Sequence, residues 1–263
     1  MLKKILLWAL ALLITLASAV YQRQTGPTYP IDGELDVGGA TVAYSLTRTH
    51  GGPGDQEVVL TAADPAVNGT VTWRRYTSSD PWTTEPLGRR DDRLVAVLPH
   101  QPPAGKIEYR LTLFRGEAER PLPATGLVVT RFKGAVPHWA LMPHILFMFA
   151  AMLVSNFAGL EALRPTGKTR RVALVTFGLL TMGGMIFGPI VQKFAFGAFW
   201  TGVPFGWDLT DNKTLIAFIF WAVAVWAGRG RREARWWVFA AAVMMLVIFL
   251  VPHSMFGSEL RHA

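Results

Sequence analysis

The protein has 263 residues, of which 51% are hydrophobic and 17% are charged, and it contains no cysteine. Soluble domains carry about 25% charged residues, so this composition indicates a membrane protein. The lack of cysteine excludes a disulfide scaffold, an iron–sulfur cluster, a covalently attached haem and a thiol nucleophile.

The chain begins with a basic residue pair followed by an apolar run. Lys3 and Lys4 precede residues 5–20, which end in the small residues ASA at 17–19. This pattern is typical of a secretory signal peptide. A run of this length with flanking charge also suits a short membrane anchor. Under either interpretation of residues 1–22, the segment that follows lies outside the cytoplasm.

Residues 23–136 have a different character, with short runs in which apolar and polar residues alternate. In the run 106–113 the apolar residues share one face of a strand and the polar residues share the other. Runs of this kind, separated by Gly- and Pro-rich turns, predict an antiparallel β-sandwich. The segment PAGKIEY (103–109) is similar to the approach to the tyrosine corner of immunoglobulin-like domains. That resemblance implies an immunoglobulin-like fold, with Trp73 and Tyr109 filling a core that lacks a disulfide.

Residues 137–263 contain four apolar stretches of helical length, at 139–160, 172–191, 210–227 and 236–251. They predict a transmembrane four-helix bundle. The connectors 161–171 and 228–235 are rich in Lys and Arg, and the positive-inside rule places both in the cytoplasm.

The net charge of +8 falls on one side of this predicted topology. The N-terminus and the two connectors hold ten basic and two acidic residues, whereas residues 23–136 hold thirteen of each. The charge therefore reports topology and gives no reason to expect nucleic acid as a partner. We expect a multi-pass protein of the bacterial inner membrane with its β-domain on the periplasmic side.

The polar residues of the membrane half gather at its outer end. His144 is the strongest candidate for a functional residue. It lies about 7–8 Å deeper than Trp139 along a helix. An ionisable side chain at that depth in a membrane is energetically costly and therefore indicates a functional role. Two imidazoles from facing helices suit a b-type haem, and imidazole with thioether sulfur suits copper. The alternative is that the histidine bonds a backbone carbonyl and the methionine fills a gap. The candidate haem ligands are His144 and His253, and the candidate metal ligands are His138, His144, Met148 and His253.

The loop before the third span, FWTGVPFGWDLTDNK (199–213), is unusually rich in aromatic residues. This composition favours a segment at the level of the lipid headgroups. Asp208 is predicted to cap the following helix, with Asp211 in its first turn. Asp211 and Lys213 are alternatively expected to form a shielded ion pair.

This loop, together with TGPTYP (25–30) and PHSMFGSE (252–259), resembles uncharacterised bacterial membrane proteins. These combine a signal-like start, a β-domain and a four-span C-terminal half. The resemblance implies no activity, and the sequence carries no P-loop, nucleophile-elbow or zincin motif. We therefore expect a non-enzymatic accessory or assembly subunit that docks a membrane-complex partner protein through its β-sandwich. The alternative is a redox or metal-handling protein with a haem b or copper site at the outer face.

Overall fold

The computed structural model describes residues 2–164, 168–229 and 234–252. They form two compact units: a helical unit, made of residues 2–27, 136–164, 168–194, 198–229 and 234–252, and a β-unit, made of residues 28–135 and 195–197. Two β-sheets and four helices long and apolar enough to cross a membrane are present in the described part of the chain. The broad prediction of a β-domain joined to a membrane part is therefore confirmed.

The β-unit contains two sheets. Sheet A has the strand order β1-β2-β4-β8-β7, and sheet B has the order β3-β11-β9-β5-β6, with β10 paired to β9. The strands of sheet A are β1 (Ile31–Val37), β2 (Ala40–Leu46), β4 (Gln56–Thr61), β7 (Gly88–Arg90) and β8 (Arg93–Leu98). The strands of sheet B are β3 (Thr49–Gly51), β5 (Asn68–Arg75), β6 (Thr83–Pro86), β9 (Lys106–Arg115), β10 (Ala118–Leu122) and β11 (Val128–Lys133). The pairing of β3 with β11 is parallel, so sheet B is mixed, whereas the sequence predicted only antiparallel pairing.

The core of the β-unit lies between the two sheets, as the alternating sequence pattern predicts. Every second residue of β9, from Ile107 to Leu113, is fully buried. These side chains belong to one hydrophobic cluster with Leu60 of β4 and Leu94 of β8. Trp73 is partly buried and packs against the same cluster.

Tyr109 is a core residue and does not form a tyrosine corner. Its hydroxyl donates to the carbonyl oxygen of Thr47 at 3.4 Å, which lies 62 residues earlier in the chain. In a tyrosine corner the hydroxyl bonds to backbone only a few residues upstream, so this detail of the sequence prediction is wrong. Burial of the ring raises the pKa of Tyr109.

The helical unit follows the predicted spans to within a few residues at most helix ends. Its helices are α1 (Leu2–Thr25), α2 (His138–Ala162), α3 (Arg170–Leu180), α4 (Gly188–Phe196), α5 (Leu209–Ala227) and α6 (Arg235–Leu250). A π-helical segment, Thr181–Phe187, connects α3 to α4, so that Arg170–Phe196 forms one continuous apolar helix of 27 residues. The sequence did not predict the π segment.

Helix α1 packs against the other helices of this unit and is longer than the apolar run that predicted it. It has 24 residues, and Thr15 lies on its buried face. The side-chain amide of Asn156 in α2 donates to Thr15 Oγ1 at 2.9 Å. Trp8 stacks on Phe157 with ring centroids 4.0 Å apart. Helix α1 thus adds a fifth apolar helix to the four predicted after residue 137.

Candidate functional site

Asp211 fixes the aromatic loop to the start of α5. Its Oδ2 accepts hydrogen bonds from the backbone N–H groups of Thr201 at 2.5 Å and Gly202 at 3.0 Å. The side-chain amide of Gln192 in α4 donates to the same oxygen at 2.9 Å. Asp211 is only 5% exposed, so these donors replace the water that a carboxylate needs. Asp211 therefore stabilises the conformation of the aromatic loop.

The two neighbouring charged residues have separate structural partners. Asp208 is the N-cap of α5, with Oδ1 accepting from the backbone N–H groups of Thr210 at 2.8 Å and Asp211 at 3.1 Å. This confirms the predicted cap. Lys213 Nζ donates to the carbonyl oxygen of Val251 at 2.7 Å, which ties α5 to the end of α6. The expected ion pair between Asp211 and Lys213 is therefore wrong.

The loop itself needs glycine where it approaches α5. A Cβ atom on Gly202 would lie 2.7 Å from the Cβ of Asp211 and from Oδ1 of Asn212. The same Asn212 oxygen accepts from the backbone N–H of Val203 at 2.7 Å. Farther along the loop, Phe205 and Trp207 are 82% and 85% exposed. Aromatic side chains exposed beside a membrane-spanning helix are typical of the lipid–water interface.

His144 is anchored to the π segment. Its Nδ1 lies 2.9 Å from the carbonyl oxygen of Gly183, and a carbonyl oxygen only accepts. Nδ1 therefore carries the proton, and in the neutral ring Nε2 holds a lone pair. The same Gly183 oxygen also accepts a hydrogen bond from the backbone N–H of Gly188. A bond between residues five positions apart is the one that defines a π-helix. A backbone feature of one helix thus fixes the tautomer of a half-buried histidine on another.

A cavity of about 190 Å³ lies beside His144 within the helical unit. It is lined by His144, Ile145, Met148, Phe149 and Met152 of α2, by Thr15, Ser18, Ala19 and Gln22 of α1, and by Phe249 of α6. His144 and Met148, two of the predicted ligands, therefore meet at one cavity. His138 begins α2 but does not line this cavity, and His253 lies outside the described residues. Within the described ranges no three His, Asp or Glu side chains converge as metal ligands.

The glycines of the π segment allow close packing of its neighbours. A Cβ atom on Gly183 would lie 2.9 Å from Met148 Sδ, and one on Gly184 would lie 2.8 Å from Thr214 Cγ2 in α5. A Cβ atom on Gly178, one to two turns earlier in the helix, would have no other atom within 4 Å. Of these three glycines, only the two in the π segment, Gly183 and Gly184, allow a neighbouring helix to approach closely.

We expect Gly184→Ala to destabilise the helical unit by about 1–3 kcal/mol, because the added methyl forces α5 away. Gly178→Ala is the control, and we expect it to be neutral or stabilising, since alanine favours helix over glycine by about 1 kcal/mol. Thermal unfolding of the two purified variants, followed by circular dichroism, measures the difference. Equal stability of the two variants would contradict the close packing of the π segment.

The outward face of sheet B is strongly basic although the sequence of the β-domain is balanced in charge. Register places alternate residues of β5, β9 and β11 on this face. The charged residues at these positions are Arg74, Lys106, Arg110, Arg131 and Lys133, against the acids Glu108 and, from β10, Glu119. Arg131 and Glu108 are buried, and the others are exposed or half-buried. The outward face of sheet A has the opposite balance, with Asp32, Glu34, Asp36 and Glu57 against Arg90 and Arg93. The charge of the domain is thus divided between its two faces.

Two aromatic rings lie among the cations of sheet B. The Arg74 guanidinium carbon is 4.5 Å from the ring centroid of Trp82, and Lys106 Nζ is 5.2 Å from that of Tyr76. Trp82 is 42% exposed and Arg110 is exposed. We call Arg74, Tyr76, Trp82, Lys106 and Arg110 the aromatic–basic patch. Glu108 pairs with Arg74 at 2.5 Å, and the patch holds three cations beside this one carboxylate.

Several residues at these sites were not predicted from the sequence. Gln192 and Thr201 bind Asp211, and Gln22 of α1 donates to the carbonyl oxygen of Phe249 at 2.7 Å. The one feature of the sequence that indicated such residues was their polarity, because Gln192 and Asn156 are isolated amides in or beside apolar stretches. The signal marks such residues as important without identifying their partners.

No protein-family model and no curated protein matches this chain. The aromatic loop held by Asp211, the cavity beside His144 and the aromatic–basic patch are therefore the features on which a function can be based.

Proposed function

We propose that this protein is an accessory subunit of a bacterial inner-membrane complex, and that its periplasmic β-domain docks an acidic partner protein through the aromatic–basic patch. The observation that carries the proposal is the concentration of positive charge and exposed aromatic surface on one face of a domain whose total charge is zero. A basic face seeks a complementary acidic surface and steers the encounter.

The composition of the patch matches that of protein-binding hot spots. Trp, Tyr and Arg dominate such hot spots because they combine large apolar area with directional polar contacts. Trp82 and Tyr76 are both covered on one side by a cation, which holds each pair in place before a partner arrives. Pre-ordered side chains lose less conformational entropy on binding.

The strand order supports an immunoglobulin-like domain as the docking module. In such domains strands A, B, E and D form one sheet, and C, F and G form the other. The strands β2, β4, β8 and β7 have the positions of A, B, E and D, and β5, β9 and β11 have those of C, F and G. Trp73 then lies on strand C, where this fold places its core tryptophan.

The charge distribution and the helix count together support the proposed orientation. With Lys3 and Lys4 in the cytoplasm, five apolar helices that each cross the membrane would put both basic connectors in the cytoplasm and the β-domain outside, which agrees with the positive-inside rule. The bond from Asn156 to Thr15 supports α1 as a retained anchor, since a polar contact between apolar helices stabilises their association.

A pair of matched double variants tests the docking proposal. Trp82→Ala with Arg110→Glu alters the patch, and Val97→Ala with Arg93→Glu makes the same kind of change on the outward face of sheet A. We expect the protein with which the wild type co-purifies from membranes in mild detergent to bind at least tenfold more weakly to the patch variant. The control variant should retain it, and added salt should release it. Retention by the patch variant, or equal loss from both, would overturn the proposal.

A second candidate function is the handling of a soft metal ion, and the fixed tautomer of His144 is the observation in its favour. With Nδ1–H bound to Gly183, Nε2 is the nitrogen available as a ligand, and this arrangement is usual for metal-binding histidine. Met148 lines the same cavity one helical turn away, and imidazole with thioether suits Cu(I). The cavity of about 190 Å³ is smaller than the roughly 300–1,000 Å³ of ligand pockets, which favours an ion over a haem. Copper binding that is lost in His144→Ala would support this function, and equal binding by the variant would exclude it.

A further inference from the structure

A second cavity, of about 230 Å³, lies at the opposite end of α2 from His144. It is lined by Lys4 of α1, by Phe157 and Glu161 of α2, by Arg164 and Lys168 of the connector, and by Val172 of α3. Segments that are far apart in the sequence thus bring three cations to one cavity. In the sequence, these cations indicate topology alone.

The carboxylate in this cavity is already neutralised. Glu161 is 4% exposed, and its Oε2 accepts from Arg164 Nη1 at 2.7 Å. Its Oε1 accepts from the backbone N–H of Lys168 at 3.4 Å. The ammonium groups of Lys4 and Lys168 are on exposed residues, so they supply the positive charge that remains. The cavity therefore favours an anion.

The other walls of the cavity are apolar. Phe157 is 5% exposed and stacks on Trp8, and Val172 lies in the first turn of α3. The cavity thus changes from cationic to apolar where the connector meets the membrane-spanning helices. An anion with an attached hydrocarbon part matches this arrangement, whereas a free inorganic ion uses only the cationic side.

We propose that Lys4, Arg164 and Lys168 form a binding site for the headgroup phosphate of an anionic phospholipid. Basic pockets between membrane helices on the cytoplasmic side bind such headgroups, and lysine near an anionic lipid surface attracts it electrostatically. Arg164 holds Glu161 and thereby orients the site, while the two lysines contact the phosphate. The phenyl ring of Phe157 and the side chain of Val172 lie beside the glycerol and the first part of the acyl chains.

Native mass spectrometry of the full chain, in detergent containing equal amounts of phosphatidylglycerol and phosphatidylcholine, tests this site. We expect the wild type to retain phosphatidylglycerol preferentially. In Lys4→Gln with Lys168→Gln that preference should fall roughly 25-fold, because each lysine contributes about a fivefold factor. Both residues are exposed, so the variant should fold, and circular dichroism checks this.

The matched control is Lys3→Gln with Arg170→Gln, which removes the same charge from neighbouring residues that do not line the cavity. Retention of the lipid preference by this control supports a defined site. An equal loss in the control would show a diffuse basic surface and would overturn the proposal. So would displacement of the lipid by an equal concentration of inorganic phosphate, since that outcome identifies a site for the free anion.

Discussion

Replacing Asp211 with alanine is expected to release the aromatic loop and to destabilise the helical unit by about 3–5 kcal/mol. The substitution removes the acceptor for the backbone N–H groups of Gly202, which is buried, and of Thr201, which is half-buried. Each buried donor that is left without a partner costs about 1–3 kcal/mol. The amide of Gln192 loses the same acceptor. A lower melting temperature and new proteolytic cleavage within residues 197–207 would show the release.

Asn212→Ala is the control for this prediction. It removes one acceptor, for the N–H of Val203, and we expect a loss of about 1 kcal/mol. Asp211→Asn should lie between the two, because it keeps an acceptor oxygen but loses the charge that strengthens the bonds. If Asp211→Ala destabilises the protein no more than Asn212→Ala does, the loop is held by other contacts.

The second large effect is expected in the β-domain, where Trp73→Ala should cost about 3 kcal/mol. Aromatic truncation in a core costs roughly 3–5 kcal/mol, and the partial exposure of Trp73 places it at the lower end of that range. Trp82→Ala, at the residue that precedes the neighbouring strand β6, is the control, since Trp82 is 42% exposed. Its effect should lie within about 0.5 kcal/mol of zero.

Residues 24–134, produced without the helices, allow this comparison by urea unfolding. We expect a soluble β-sheet monomer, because 19 buried hydrophobic residues form one cluster within this segment. A helical circular-dichroism spectrum would contradict the independent fold. Equal stability of the two tryptophan variants would instead place Trp73 outside the core.

Periodicity was sufficient to predict the alternating strands and the apolar spans, but it did not predict the π segment, the parallel pairing of β3 or hydrogen-bond partners from elsewhere in the chain. The alternation in 106–113 predicted the buried face of β9, and the apolar stretches predicted the spans, because both signals report which side of an element avoids water. Asp208 was predictable because a cap is satisfied by its own helix. Asp211 was not, because its donors come from residues 9 to 19 positions away.

The same distinction explains His144 and the tyrosine corner. The depth of His144 in its helix followed from counting residues, but its hydrogen bond depends on a π-helical carbonyl in another helix. Tyr109 fell on a strand with the expected spacing, yet its hydroxyl reaches Thr47 across the core. Local sequence identifies a buried polar group, whereas its partner depends on the packed fold.

The contact between Gln22 and the end of α6 has a consequence for the order of biosynthesis. Gln22 binds the carbonyl oxygen of Phe249, 227 residues later. A ribosome adds about 5–20 residues per second, so α1 emerges at least ~10 seconds before its partner exists. During that interval the β-domain has already left the ribosome and can fold, since domains generally fold as units in the order of their synthesis. The first helix to enter the membrane is therefore among the last to reach its final packing.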